Sequence, residues 1–362
     1  MYSQSKYLIA DLIINIQKNI NMEKSGIAKA KRVIKQYAKE KEGGGDCSKD
    51  IIEKLVSTTK NSHITLPKYI SFILKDDGLL VMYIQEQIDT EKKVLNTLSQ
   101  NMQTDNSAFE GWAVVLKAWL PKEVKNVQLR WDIPSDRNNH YRRFCYRIDK
   151  MIEAFGWFSI DETNKDEIIE FKRECVNLQN NCGNKIPEKK IKRGGKVGEN
   201  AVEYDMVHKQ NFRKLMCEHY NIHDIYHQLP VGVKNKDKTF FAGSKAAIDL
   251  WGMNGNELTI IELKYENKMV GIISELFFYV CLMRDIVMRQ IAKPDAILPY
   301  EKELYSHIND MKTIHARMLA DTYHPLVKDE KVFSILNNNK FENVEINFKL
   351  DTYKYSLSTL TI

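Results

Sequence analysis

The fold class the sequence predicts is an α/β C-terminal region, a mixed central sheet flanked by helices, preceded by a mainly α-helical N-terminal region. Three observations predict it. Ala247–Trp251 and Thr259–Lys264 are apolar runs that carry Asp249 and Glu262-x-Lys264, and Asn254-Gly255-Asn256 separates them. Asparagine and glycine tolerate the positive φ of a tight turn, so the two runs read as a hairpin. Gly271 to Met283 is apolar nearly all round, which marks a buried helix. Most of the first 180 residues, by contrast, carry helical periodicity.

Taken in order, Tyr7–Asn21, Met22–Lys41, Lys49–Thr59 and Leu80–Gln100 read as helices, with breaks at Gly43-Gly44-Gly45 and Gly78. Ala108 to Trp119 is an apolar segment bearing tryptophan. Asn138 to Phe155 reads as an amphipathic helix ending at Gly156, with Ser135-Asp136 as its capping turn. Residues 181–198 are basic, poor in apolar side chains and contain Pro187, Gly194 and Gly195, so they read as a linker between 1–180 and 199–362. Beyond it, Glu199–Tyr220 has helical spacing, Ile225–Val233 reads as a strand, and Phe240-Phe241 begins the next. Lys268–Ile291 holds the buried helix. Ile314–Val327 and Val344–Ser356 are strand-like, with a short helix at Glu330–Leu336 between them.

The hairpin carries the chemistry. Side chains alternate along a strand, so Glu262 and Lys264 share a face opposite Ile261 and Leu263. With Asp249 on the neighbouring strand, three charged groups converge. Two carboxylates suit a hard divalent cation such as Mg²⁺ or Mn²⁺, and a lysine can hold an attacking water or offset phosphate charge. That is the outline of a phosphodiesterase site.

This arrangement resembles the PD-(D/E)xK nuclease superfamily, the restriction-endonuclease-like fold, over about Glu199 to Ile362. Asp249 matches the first acid, Glu262 the second and Lys264 the lysine, while Ile248 stands where many members have proline. The RecB-like branch places Gln-x-x-x-Tyr on the following helix. Tyr279 matches that tyrosine, and Glu275 stands in place of the glutamine. The resemblance implies Asp249, Glu262 and Lys264 as catalytic residues, with Glu275 and Tyr279 in support. It implies Mg²⁺ or Mn²⁺ held by Asp249, Glu262 and a glutamate of the first helix, Glu203 or its neighbour Glu199, with Glu218 a third candidate. The activity implied is a metal-dependent nuclease, most readily a DNA endonuclease of restriction or anti-phage defence type. The alternative is a nuclease-like fold whose chemistry has lapsed, binding nucleic acid or protein. The intact Asp249, Glu262 and Lys264 favour activity.

A second candidate lies upstream. Arg137, Arg142, Arg143 and Arg147 alternate with Tyr141, Phe144 and Tyr146, a pattern suited to phosphate contact and base stacking. The same pattern also describes a solvated arginine face over an aromatic core. His219, His223 and His227 recur every four residues but straddle an expected helix end, and Cys175 and Cys182 have no second ligand pair. No P-loop, dinucleotide fingerprint or Gly-x-Ser-x-Gly is present.

Composition sets the outer limits. The 362 residues suffice for two cores, and six dispersed cysteines without a secretory signal fit a reducing, cytoplasmic setting. The Tyr7–Ile20 run is interrupted by Asp11, Asn15 and Lys18, which excludes a membrane span there. A net charge of +6 permits a nucleic-acid partner without requiring one. The N-terminal half is then left for substrate recognition, self-association or a partner protein.

Overall fold

The computed structural model describes residues 47–61, 63–85, 87–88, 94–95, 98, 102, 107–134, 137–180, 198–236, 238–241 and 246–362. The helices expected before residue 47, the Ser135-Asp136 cap, Cys182 and the basic stretch 181–197 lie outside them. The described chain is mixed α/β throughout.

The N-terminal part holds α1 (Ser48–Thr59), β1 (Ile70–Leu74), β2 (Leu79–Ile84), α2 (Phe109–Trp119), β3 (Asn126–Trp131), α3 (Asn139–Ala154), β4 (Phe158–Ile160), α4 (Lys165–Glu174) and β5 (Leu178–Asn180). Strands β1 to β4 form a sheet in that order, antiparallel between β1 and β2 and parallel thereafter. This corrects the expectation of a helix from Leu80: Leu79–Ile84 is a strand in the middle of that sheet. A strand covered on both faces reads as one unbroken apolar run, so its period of two is hidden. Gly78, at φ +87°, makes the turn before it. The α3 helix stands where it was expected, but its cap is Asn138, whose side chain accepts from the His140 and Tyr141 amides.

The C-terminal part begins with α5 (Glu199–His208) and α6 (Gln210–Tyr220), one expected helix broken at Lys209, where φ is −81° and ψ 117°. There follow β6 (Ile225–Pro230), β7 (Val233–Asn235), β8 (Lys238–Phe241), β9 (Ala247–Asn254), β10 (Glu257–Lys264), α7 (Ile272–Val287), α8 (Lys302–His307), β11 (Thr313–Ala320), α9 (Glu330–Asn337), β12 (Glu345–Thr352) and the small pair β13 (Lys354–Tyr355) and β14 (Leu360–Thr361). The five-stranded central sheet has the order β12-β11-β10-β9-β6. β9 runs antiparallel to both β6 and β10, whereas β10, β11 and β12 are mutually parallel. A parallel pair needs a crossover, and α7 lies in the connection from β10 to β11. β8 does not join this sheet. It pairs with β7, which pairs with β5, so Phe240 and Phe241 belong to a separate three-stranded sheet.

Alternation along the strands sorts the core into two faces. Leu258, Ile260, Ile314, Ala316 and Met318 meet α7 and the N-terminal elements, while Ile261, Leu263, Leu250 and Leu319 meet α5 and α6. Every residue of α7 is buried, which explains its all-round apolar sequence. The first cluster runs without interruption from Ile51 to Phe348, so the parts flanking 181–197 share one core. Polar contacts reinforce it: Lys150 pairs with Asp285 at 2.9 Å, and Tyr146 donates to Asp285 at 2.8 Å. Among the described residues no helix is long and apolar enough to cross a membrane.

Candidate active site

The hairpin turns at Gly255, φ +55°, the first central residue of a two-residue turn between Asn254 and Glu257. From there β9 and β10 pair as far as Leu250 opposite Ile261. Beyond that point the strands separate, and a side chain replaces the backbone ladder. Asp249 Oδ2 accepts from the Leu263 amide at 3.0 Å. Asp249 and Glu262 are the next pair in register, beyond the end of the ladder. Meanwhile β9 stays with β6, with Ile248 opposite Leu229 and Leu250 opposite His227.

Around Lys264 the structure gathers four acids. Lys264 Nζ sits in the centre, bonded to Glu262 Oε1 and to the Leu263 carbonyl at 2.9 Å. Glu275 Oε2 on α7 is 3.3 Å away, Glu199 Oε1 on α5 is 3.6 Å away, and Asp249 Oδ2 is 3.7 Å away. Tyr279, one turn along α7, donates to Glu275 at 3.3 Å, and Glu199 also accepts from the Tyr265 amide at 3.2 Å. Tyr353 holds the Lys264 carbonyl at 3.1 Å. Glu203 does not touch Lys264; its Oε1 accepts from Gln228 Nε2 at 2.6 Å and lies 3.5 Å from His227 Nδ1. Glu262 and Lys264 are almost fully buried, whereas Glu199 and Asp249 keep 37% and 17% of their side chains exposed, so the site opens on their side.

Burial and mutual repulsion govern the charges. Burial raises the Asp249 carboxyl to about 7, helped by the Glu203, Glu275 and Glu199 charges and opposed by Lys264. Glu262 is pushed well above the carboxylate range by burial, then by Asp249 and Glu275, against Lys264. Glu199 is raised too, chiefly by burial. Burial alone would lower Lys264, but Glu262, Glu275, Asp249 and Glu199 outweigh it and hold the ammonium well above its ordinary value. The cluster is therefore a charged lysine inside a set of carboxyls that cannot all ionise together.

Such a set fits a hard cation in its chemistry, because every donor is a carboxylate oxygen. Glu262 Oε2 is buried with no donor beside it, and the side chain that stands against Glu262 is another carboxyl, Glu275. As the side chains stand, the lysine takes the central place. Among the described residues no group of three or more His, Cys, Asp and Glu side chains forms a ready ligand set.

The four arginines fall into different settings. Arg147 is 2% exposed and makes a two-pronged bond to Glu110, each arm 2.5 Å, plus one to the Ser107 carbonyl at 2.7 Å. It cannot reach a phosphate, which corrects its assignment as a nucleic-acid contact. Arg137 pairs with Glu167 and Glu170, and Arg142 with Glu174, all acids of α4. Arg143 is half-buried beside His140 Nδ1 at 3.1 Å. Burial and then the Arg147 charge lower it to about 10, while Tyr279, Glu275 and Glu110 act in the opposite sense. Its guanidinium is thus in electrostatic range of the acid cluster.

The histidines at 219, 223 and 227 divide among Asp351, Glu303 and Glu203, three different acids, and form no stripe. His324 packs its ring edge-on to Trp112. Sequence reasoning overlooked Gln228, which has no charge and belongs to no motif; its signal is a backbone φ of +56° inside a strand. Comparison of the chain with family models, with curated proteins and with solved structures returned no match.

Proposed function

We propose that this protein is a metal-dependent nuclease of the restriction-endonuclease-like fold, acting on DNA in restriction or anti-phage defence. One observation carries the reading. The β9–β10 hairpin splays where Asp249 faces Glu262, and Lys264 lies among their carboxylates at the start of the crossover to a parallel strand. Structural ion pairs seldom gather this many acids around one buried lysine, because desolvation costs more than the pairing returns. Carboxyls raised by burial and by one another around a charged lysine are candidates for a site kept for chemistry.

Asp249 and Glu262 would hold Mg²⁺ or Mn²⁺, with Glu203 contributing from α5. The bound cation supplies Lewis-acid polarisation of the phosphate and a more acidic water. Lys264, kept cationic by its neighbours, orients the attacking water and offsets charge on the phosphate. Glu275 fixes the lysine, and Tyr279 fixes Glu275. Arg143 reaches the phosphate backbone from α3.

The test is a cleavage panel of duplex DNA, single-stranded DNA and RNA with Mg²⁺, Mn²⁺ or EDTA. The reading expects cleavage of DNA that EDTA abolishes and that Asp249→Ala lacks. Undiminished cleavage by the Asp249→Ala protein would refute the assignment.

A further inference from the structure

Gln228 stands in the middle of β6 with φ +56°, a backbone conformation that a strand residue other than glycine rarely takes. The pairs on either side of it are regular: Leu229 lies opposite Ile248, and His227 opposite Leu250. The residue directly across from Gln228 is therefore Asp249. The distortion affects one residue, with the register intact before and after it. Neither sequence nor turn demands a left-handed residue there, since the chain enters and leaves as strand. Strain of this kind persists only where the surroundings enforce it, and it gathers at functional sites.

The distortion is accompanied by one specific contact. Gln228 Nε2 donates to Glu203 Oε1 at 2.6 Å, and Glu203 is 4% exposed. His227 Nδ1 lies 3.5 Å from the same oxygen, and the His227 ring meets His208 edge-on at 5.2 Å. Glu203 is thus a buried carboxylate gripped by β6, not by Lys264. A local change of backbone conformation re-aims a side chain while leaving the ladder on both sides in place. Here it aims an amide donor at Glu203, and the Glu203 charge is felt at Asp249.

We propose that Gln228 is a positioning residue: its strained backbone sets Glu203 beside Asp249 as the further carboxylate of the site. The inference rests on the metal-dependent reading above and adds to it the device that orients the α5 acid. Glutamine suits the role because its amide donates to a carboxylate without adding a charge. A lysine or arginine there would neutralise Glu203 and weaken its attraction for a cation. An alanine would leave a buried carboxylate short of a donor.

The experiment compares Gln228→Gly, Gln228→Ala, Glu203→Gln and the Gln228→Gly/Glu203→Gln double variant in the full chain, well below their melting temperatures. Glycine accepts the left-handed backbone without strain and alanine does not, so Gln228→Gly should melt higher than Gln228→Ala. Both lack the amide. Both should therefore bind Mn²⁺ about tenfold more weakly than wild type in calorimetric titrations, regardless of melting temperature. In the Glu203→Gln background, Gln228→Gly should change the Mn²⁺ affinity no further. Wild-type affinity in Gln228→Gly, or affinity that merely follows melting temperature, would overturn the proposal. Glu262→Gln serves as the control for the site itself. If it too binds Mn²⁺ like wild type, the metal reading has failed, and a metal-free measurement then decides about Gln228. The Gln228 side-chain amide resonance of the EDTA-treated protein should move when Glu203 becomes glutamine. An unmoved resonance means the two side chains do not meet and overturns the proposal by itself.

Discussion

Replacing Asp249 by asparagine should stabilise the metal-free protein while removing its activity. The carboxyl is raised from 3.8 to about 7, with burial as the main cause and the surrounding acids adding to it. Between those two values the folded chain keeps a proton that the unfolded chain gives up. Stability must therefore fall as pH rises through that window, and the whole penalty is present above about pH 7. One pKa unit corresponds to about 1.4 kcal/mol, so the full displacement is worth about 4 kcal/mol. The side chain keeps 17% exposure and shares its proton with neighbouring carboxyls, which halves the expectation to about 2 kcal/mol. Asparagine retains an oxygen for the Leu263 amide, so the bond that caps the splayed strand survives. The assay is urea unfolding in EDTA at pH 5 and pH 8. Wild type should lose about 1.4 kcal/mol more than Asp249→Asn between the two, because only the part of the window from pH 5 to about pH 7 falls inside the assay. Equal losses would show that Asp249 carries no such burden and would refute the electrostatic account of the cluster.

Other expectations come from the same geometry. Lys264→Met should lower cleavage at least a hundredfold, yet bind Mn²⁺ as well as wild type or better, because a like charge has left the centre; calorimetry and a cleavage assay separate the two effects. Arg147→Ala strands Glu110 in the core and should cost about 3–5 kcal/mol in urea unfolding, the usual result of halving a buried pair. Arg137→Gln and Arg142→Gln should leave the salt dependence of DNA binding unchanged, since both arginines are already paired with α4 acids. Arg143→Gln should reduce the log–log salt slope by about one, as measured by anisotropy titrations from low to high salt.

Much of the candidate site was legible because strand alternation is local. Asp249, Glu262 and Lys264 could be placed together from a hairpin whose turn residues and apolar flanks are all within twenty residues, and α7 could be read as buried from its composition. Glu199 was harder to rank. It and Glu203 are one turn apart, and only the packing of α5 against β6 and β10 puts Glu199 beside Lys264 and Glu203 beside Gln228. Gln228 itself was invisible, since backbone strain leaves no trace in residue type unless the residue is glycine. The N-terminal sheet was missed because Leu79–Ile84 is covered on both sides and shows no alternation. Arg147 was misplaced for a related reason: a helix position's neighbours across the core, here Glu110 on α2, are not encoded in its own spacing.

On the proposed function, the Asp249, Glu262 and Lys264 cluster cuts phosphodiester bonds with a bound divalent cation. Single-turnover cleavage of a DNA substrate by wild type and Glu262→Gln at matched Mg²⁺ tests it most directly. Glutamine preserves the shape of the buried side chain but removes the charge a cation needs. The account predicts Mg²⁺-dependent cleavage by wild type and a loss of at least a hundredfold in a Glu262→Gln protein that remains folded. Equal cleavage by the two proteins would contradict it.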